Sequence, residues 1–303
     1  MLVSILGSNG LLSNSVAKFC NNNNIDLHIY GRTEPSGVNC SNFFEINFIE
    51  NEIDFSHLVK SDVIIYASGA GIQSNRNEQA EIMHFLNVDL PIVILKKLDE
   101  INYHGHFITF GSYFEIGVNE TNVLFTEDMI LASTNKVCNE YSVTKRLLSN
   151  FLKSFNGSFT NFHYILPTIY GENEAEHRLI PYTIKAIRNN EKLNFTSGDQ
   201  IRQYIYVDDV ACIIFKSVEI GLESGIFNIA GNETLSVREV VGIIIDNLGI
   251  TLSDDVFGKV KRTDTNMQNL QLDGSRLNQQ ISLKGAVRIA DVIDKYIEKT
   301  LIK

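Results

Sequence analysis

The alternation of short apolar runs with longer amphipathic ones predicts an α/β chain: a doubly wound parallel sheet with a smaller C-terminal α/β lobe. Two further observations point the same way. A glycine turn directly follows the first apolar run, and the alternation loosens only beyond Pro167. Parallel strands need a crossover to return the chain to the same edge, so such a sheet reads strand, helix, strand, with helices over both faces.

The elements follow in that order. LVSIL at 2–6 reads as a strand, 11–22 as a helix, DLHIY at 26–30, FFEI at 43–46 and DVIIYA at 62–67 as strands. A helix over 79–99, the strand HFITF at 106–110, a helix over 137–155 and the strand FHYIL at 162–166 complete the regular part. The run NNNN at 21–24 suits a helix end and turn, because Asn tolerates left-handed backbone. Then Pro167, Pro181 and the segments GEN and TSGDQ interrupt the rhythm, before RQYIYV, FNIAG and helix-like runs at 235–248 and 287–301. Residues 1–166, with returning segments at about 203–228, are therefore expected to form the sheet domain, and 167–202 with 229–303 a second lobe. No internal repeat is evident.

At 303 residues, 44% hydrophobic and 20% charged, the chain can bury a large core, and no segment is polar enough to suggest disorder. A net charge of −10 argues against a broad nucleic-acid or anionic-membrane surface, so any anion site must be a local cluster of basic side chains. Cys20, Cys40, Cys138 and Cys212 share no metal-ligand spacing and read as reduced thiols. The apolar start is too short for a signal peptide, and no run approaches the ~18 apolar residues of a membrane span. A cytoplasmic protein with no membrane partner is the expectation. His104 and His106 alternate along a strand, but no carboxylate or Cys motif completes a metal site, so no metal is expected.

Residues 7-GSNGLLS-13 follow a strand and open a helix, the context of a Rossmann dinucleotide turn. Gly7 permits the tight turn, Gly10 lets backbone approach a pyrophosphate, and the helix N-terminus offers free amides. Ser13 replaces the third glycine, which weakens the motif without removing it. An NAD site places Asp or Glu at the end of the second strand to hold the ribose 2′-hydroxyl. Here that strand ends Tyr30-Gly31-Arg32. Without the carboxylate nothing repels a 2′-phosphate, and Arg32 supplies a pairing charge, so NADP(H) is preferred over NAD(H). The alternative is a solvated loop arginine.

Tyr141 and Lys145, at i and i+4, share one helical face and can reach one pocket. The spacing alone is common. Its context is not: the preceding strand ends in Gly111-Ser112, which sets a hydroxyl at the carboxyl edge of the sheet. A phenol titrates near 10 when unperturbed, and an adjacent ammonium is expected to lower that value. Tyr141 could then give a proton to a carbonyl oxygen as hydride reaches the carbon, with Ser112 bonded to the same oxygen.

With these residues in order, the chain resembles the extended short-chain dehydrogenases/reductases that act on nucleotide sugars, the NAD-dependent epimerase/dehydratase group. The resemblance runs through GSNGLLS, DVIIYASG, FLNVDLP, GSYFEIG, YSVTK, LPTIYGEN, RQYIYVDDVA, FNIAGNETLS and the late Arg262 with DGSRL. It implies Ser112, Tyr141 and Lys145 as catalytic residues. It implies a cofactor site of Gly7, Asn9, Gly10, Leu11, Arg32, Ala67, Ser68, Asn87 and Pro167, joined by Tyr141 and Lys145. On the substrate side it implies Ser112, Tyr113, Arg178, Phe195, Arg202 and Arg262, the arginines on a diphosphate and Phe195 against a base. Phe195 reads equally as a core side chain. A homodimer built on the helices at 79–99 and 137–155 is implied as well.

The segment FTSGDQIRQYIY resembles that of reductases making CDP- or dTDP-linked 6-deoxyhexoses. Sugar 4,6-dehydratases of the group carry Thr-Asp-Glu where this chain has Ser112-Tyr113-Phe114, so the extra acid and base of dehydration are missing. The Cys and His of the GDP-fucose epimerase/reductases are replaced by Phe114 and Arg178, although Cys138 and His177 keep that route open. Two enzymatic readings remain, a 4-ketoreductase consuming NADPH and a 4-epimerase retaining NAD, and Gly31-Arg32 favours the first. A non-catalytic dinucleotide-binding sensor or scaffold would not need the complete Ser-Tyr-Lys set. Asp208-Asp209 read as a helix start, not as catalytic groups.

Overall fold

The computed structural model describes residues 1–71, 78–261, 266–281 and 286–301, without the side chains of residues 300 and 301. Seven parallel strands form the main sheet in the order β3-β2-β1-β4-β5-β6-β9. They are β1 (Leu2–Leu6), β2 (Asp26–Gly31), β3 (Asn42–Glu45), β4 (Val63–Tyr66), β5 (His106–Ser112), β6 (Thr160–Leu166) and β9 (Gly225–Asn228). The order reverses between β1 and β4. That reversal opens a crevice at the carboxyl ends of the strands, where ligands of such sheets bind.

Val3, Ile5, Val63, Ile65 and Ile108 point to one face of the sheet, under α1 (Leu11–Asn22) and α8 (Val207–Glu219), where Phe19 and Phe215 stack at 4.4 Å. Leu6, Ile64, Tyr66 and Phe107 point to the other, under α4 (Leu90–Glu100) and α6 (Glu140–Ser154), with the short α2 (Phe55–Leu58), α3 (Ala80–His84) and α5 (Glu127–Leu131) at its margins. Alternate residues on opposite faces, all apolar, are what burial on both sides demands. The doubly wound sheet expected from the alternation is thus present.

Beyond Leu166 the buried Pro167 turns the chain into β7 (Thr168–Tyr170) and a second sheet. There β8 (Ile201–Tyr206) pairs with β7 and β11 (Asn269–Leu270) in parallel and with β10 (Glu233–Ser236) antiparallel. Helices α7 (Leu179–Arg188), α9 (Val237–Leu248) and α11 (Ile289–Leu301) bury Ile180, Ile184, Val240, Ile244 and Ile293 against it, and α10 (Ser275–Asn278) packs beside β9. Residues 203–206, expected with the first sheet, lie in this second one; the chain rejoins the main sheet through α8 and β9.

Two local details differ from expectation. The helix expected from 137 begins at Glu140, because the Asn139 side chain accepts the Ser142 amide at 2.9 Å and the Ser142 hydroxyl at 2.8 Å. The helix expected at 79–99 is interrupted by a π-helical turn, Phe85–Asp89, which contains the buried Asn87. At the NNNN run, Asn24 adopts a φ of 54°, as a left-handed turn residue does. No helix among the described residues is long and apolar enough to cross a membrane.

Candidate active site

The crevice begins at the glycine turn. Gly7 adopts a φ of +117°, and a Cβ there would meet the Ser68 amide at 2.8 Å and Ser68 Oγ at 2.9 Å. The turn can therefore close on the end of β4 only with glycine. Ser68 Oγ in turn donates to the Leu6 carbonyl at 3.0 Å, and Ala67 is half-buried beside it. Gly10 caps the 12-residue α1 with no side-chain hydrogen bond and no acidic side chain in the first turn, so its leading amides suit an anion. Leu11 packs partly buried on the core behind them, and the Ser13 hydroxyl is buried without a hydrogen-bond partner in the described structure.

The end of β2 leans on this turn. A Cβ on Gly31 would lie 2.3 Å from Ser8 Oγ and 3.0 Å from Ser8 N. Asn9 Nδ2 ties the two loops together by donating to the Thr33 carbonyl at 2.9 Å. No acidic side chain could replace Gly31 without displacing Ser8, and the next residue, Arg32, is exposed. The constricted glycine turn, the uncapped helix and the nearby guanidinium together fit a dinucleotide.

The reacting groups meet where β5 faces α6. Ser112 ends β5, 6% exposed, and opens a tight turn over Tyr113–Ile116. Its Oγ accepts from the Phe114 amide at 3.3 Å and its amide donates to Glu115 Oε1 at 2.7 Å. Lys145 Nζ donates to the Phe110 carbonyl at 2.8 Å and lies 5.8 Å from the centre of the Tyr141 ring. The Ser112 hydroxyl lies close enough to the Tyr141 phenol to favour its charged form, so the three side chains share one site.

The electrostatics correct one expectation. Burial pushes the Tyr141 phenol up to about 12; the nearby Ser112 hydroxyl and the Arg178 charge pull it back only in part, and Glu115 adds to the rise. Lys145 does not bring the phenol below its ordinary value. Its own ammonium is pulled down to about 8 by burial, opposed by the Glu115 charge.

Other predicted residues fall into distinct places. Asn87 is 1% exposed, and its amide is committed to protein: Oδ1 accepts from the Ala70 amide at 2.9 Å, and Nδ2 donates to the Ala70 carbonyl at 3.0 Å and Thr144 Oγ1 at 2.9 Å. It fastens the loop after β4 to α6 instead of presenting a polar group to a cofactor. Tyr113 is buried, its hydroxyl hydrogen-bonded to Thr168 Oγ1. Arg178, at the start of α7, pairs through Nε with Glu174 Oε2 at 2.7 Å and donates to the Ile169 carbonyl at 2.9 Å, while its charge reaches Tyr141. Glu174 is itself held by the Tyr296 hydroxyl at 2.6 Å.

Arg202 is 6% exposed, with Nη1 donating to the carbonyls of Ile201 and Met267 at 2.8 Å each. Phe195 is 5% exposed, edge-on to Tyr182 and 5.3 Å from the Phe257 ring. Phe195 thus packs as a core side chain in this structure. Arg262 lies outside the described residues. Glu115 was missed at the sequence level, although Ser112-x-x-Glu115 carries the spacing of a capping box.

Comparison with known proteins agrees with this geometry. Residues 3–230 match the sequence model of the NAD dependent epimerase/dehydratase family. The chain is 25% identical over 247 residues to a CDP-abequose synthase of Yersinia pseudotuberculosis, covering 78% of each chain. It is 22% identical over 274 residues to a dTDP-4-dehydro-6-deoxyglucose reductase of Escherichia coli, covering 86% of this chain and 84% of that one. Among solved structures, the Bordetella bronchiseptica enzyme WbmG in complex with NAD superposes with a TM-score of 0.79 at 17% identity, over 98% of this chain and 93% of that one. The chain belongs to the NAD-dependent epimerase/dehydratase family.

Proposed function

We propose that the protein reduces a nucleotide-linked 4-keto-6-deoxyhexose, CDP- or dTDP-linked, to the 4-hydroxy sugar with NADPH, in a cytoplasmic route to surface polysaccharide. The observation that carries the reading is the end of β2, where Gly31, not a carboxylate, abuts Ser8 and the following residue, Arg32, is exposed. A guanidinium at that strand end suits a 2′-phosphate. The relatives named for CDP-abequose and for reduction of a dTDP-4-dehydro sugar support the substrate class.

The bound nicotinamide supplies the hydride. Everything else falls to the chain. Ser112 and Tyr141 converge on one carbonyl oxygen, and Tyr141, its phenol held near 12, is protonated at neutral pH, the state required of a proton donor. As hydride arrives at the carbon, the Tyr141 proton passes to the oxygen and the Ser112 hydroxyl stabilises the developing charge. Lys145, one helical turn on, stabilises the phenolate left behind and faces the cofactor ribose. Arg178, with Arg202 and Arg262, is assigned to the diphosphate, Arg178 exchanging its pairing with Glu174 for a substrate oxygen.

The second reading is a 4-epimerase that retains NAD, favoured by the NAD bound to the similar WbmG structure. The cofactor separates the two. Arg32→Ala should raise the Michaelis constant for NADPH about tenfold or more, the worth of one charge-assisted contact, and leave that for NADH nearly unchanged. Equal effects on both cofactors would remove the argument from Arg32 for NADPH.

A further inference from the structure

Beneath the reacting groups lies a carboxyl that the mechanism above does not use. Glu115 is 0% exposed, and its Oε2 has no hydrogen-bond partner among the described residues. A capping box explains its bond to the Ser112 amide but not its depth, since the box needs only that one bond. Burying an uncompensated carboxylate is costly. Burial raises the Glu115 carboxyl above its ordinary value, and Ser149, the Ser112 amide and two basic neighbours oppose that rise.

Lys145 and Arg146 of α6 both act on Glu115 with favourable charge. Arg146 also grips the Glu115 main chain, Nε donating to its carbonyl at 2.9 Å. From β6 the neutral His163 closes the cluster, Nε2 at 2.8 Å from Ser149 Oγ and Nδ1 at 2.7 Å from Thr109 Oγ1. The backbone makes room for this arrangement. A Cβ on Gly111 would lie 2.6 Å from Glu115 Oε1 and 2.7 Å from His163 Nε2, so the residue before Ser112 must be glycine for the carboxyl to sit there.

We propose that Glu115 is a positioning residue for the reaction centre, locking the Ser112 turn through the amide and serving as the buried counter-charge that keeps the Lys145 ammonium in place. Other charges near the set do not duplicate this role: Arg178 and Tyr113 act on Tyr141, and His163 is held uncharged by its burial and by Lys145. Among the described residues Glu115 is the charge that opposes the desolvation of Lys145, whose burial brings that ammonium down to about 8. Loss of the carboxylate should leave Lys145 neutral near neutral pH.

This inference rests on the assignment of Lys145 to the cofactor ribose, not on the direction of the reaction. The test is the dissociation constant of NADPH measured by fluorescence between about pH 6 and 9 for the wild type, Glu115→Gln and Lys145→Met. Affinity should weaken as Lys145 loses its proton, with a midpoint near 8 in the wild type and at least one unit lower in Glu115→Gln. At pH 7.5 that shift amounts to about a threefold loss, which Glu115→Asp should largely restore. Normal loss in Lys145→Met with an unmoved midpoint in Glu115→Gln would overturn the role of Glu115. Undiminished binding by Lys145→Met would overturn the Lys145 assignment, and the inference with it.

Should Glu115→Gln fail to fold, the pair is read from stability. In Lys145→Met the carboxylate loses its counter-charge, so its folded pKa rises further above the unfolded value. Stability should then fall as pH rises above the ordinary carboxyl value of 4.5, and the fall should extend to higher pH than in the wild type. Parallel curves would overturn the charge pairing.

Discussion

At the scale of single residues, the proposed chemistry rests on Tyr141 and Ser112. Tyr141→Phe keeps the ring and removes the proton, so turnover should drop at least a thousandfold while NADPH affinity stays within about threefold of the wild type. Steady-state rates together with a cofactor titration check this; a Phe variant that turns over normally would exclude Tyr141 as donor. The set itself was legible in the sequence, because Tyr-x-x-x-Lys after a strand ending in Ser restricts where the three can meet. The state of the phenol was not. Proximity to Lys145 suggested a lowered value, whereas burial, which no short motif encodes, pushes it to about 12. Glu115 went unread for the same reason: its position three residues after Ser112 marks a cap, and only the fold shows that the cap is sealed from water.

At the scale of elements, helices α4 and α6 matter twice. Their inner faces pack on β5, and the π-helical turn ahead of α4 brings the Asn87 amide to the Ala70 backbone and Thr144, binding the loop after β4 to the helix that carries Tyr141. Periodicity predicted a helix over this whole stretch. One π turn barely alters an amphipathic pattern, so the interruption could not be read from it. Their outer faces leave Val93 57% and Leu147 45% exposed, with Lys96 Nζ 5.8 Å from the half-buried Phe151 ring. A homodimer across this face is the proposed assembly. Leu147→Glu should shift the protein towards monomer in light scattering at micromolar concentration, and an unchanged mass would place any dimer elsewhere.

At the scale of the whole molecule, strand order decides what can meet. The reversal between β1 and β4 brings Gly7 against Ser68, while β5 and α6 carry Ser112, Tyr141 and Lys145 to the same carboxyl edge. That much was legible, since strand and helix alternate through Leu166 except where β3 follows β2 directly. The second lobe was harder to read. Its central strand β8 pairs in parallel with β7 and β11 and antiparallel with β10, contacts made between segments distant in sequence. The same non-local packing buries Phe195, sets Arg202 on backbone carbonyls and ties Arg178 through Glu174 to Tyr296 of α11.

Reduction by this assembly is tested most directly by mixing the protein with NADPH and 4-keto-6-deoxyhexoses carried on CDP, dTDP, GDP and UDP, and following the nicotinamide absorbance. One NADPH should be consumed per CDP- or dTDP-linked ketone reduced. Interconversion of 4-epimers with no added cofactor, and no loss of NADPH with any ketone, would contradict the account.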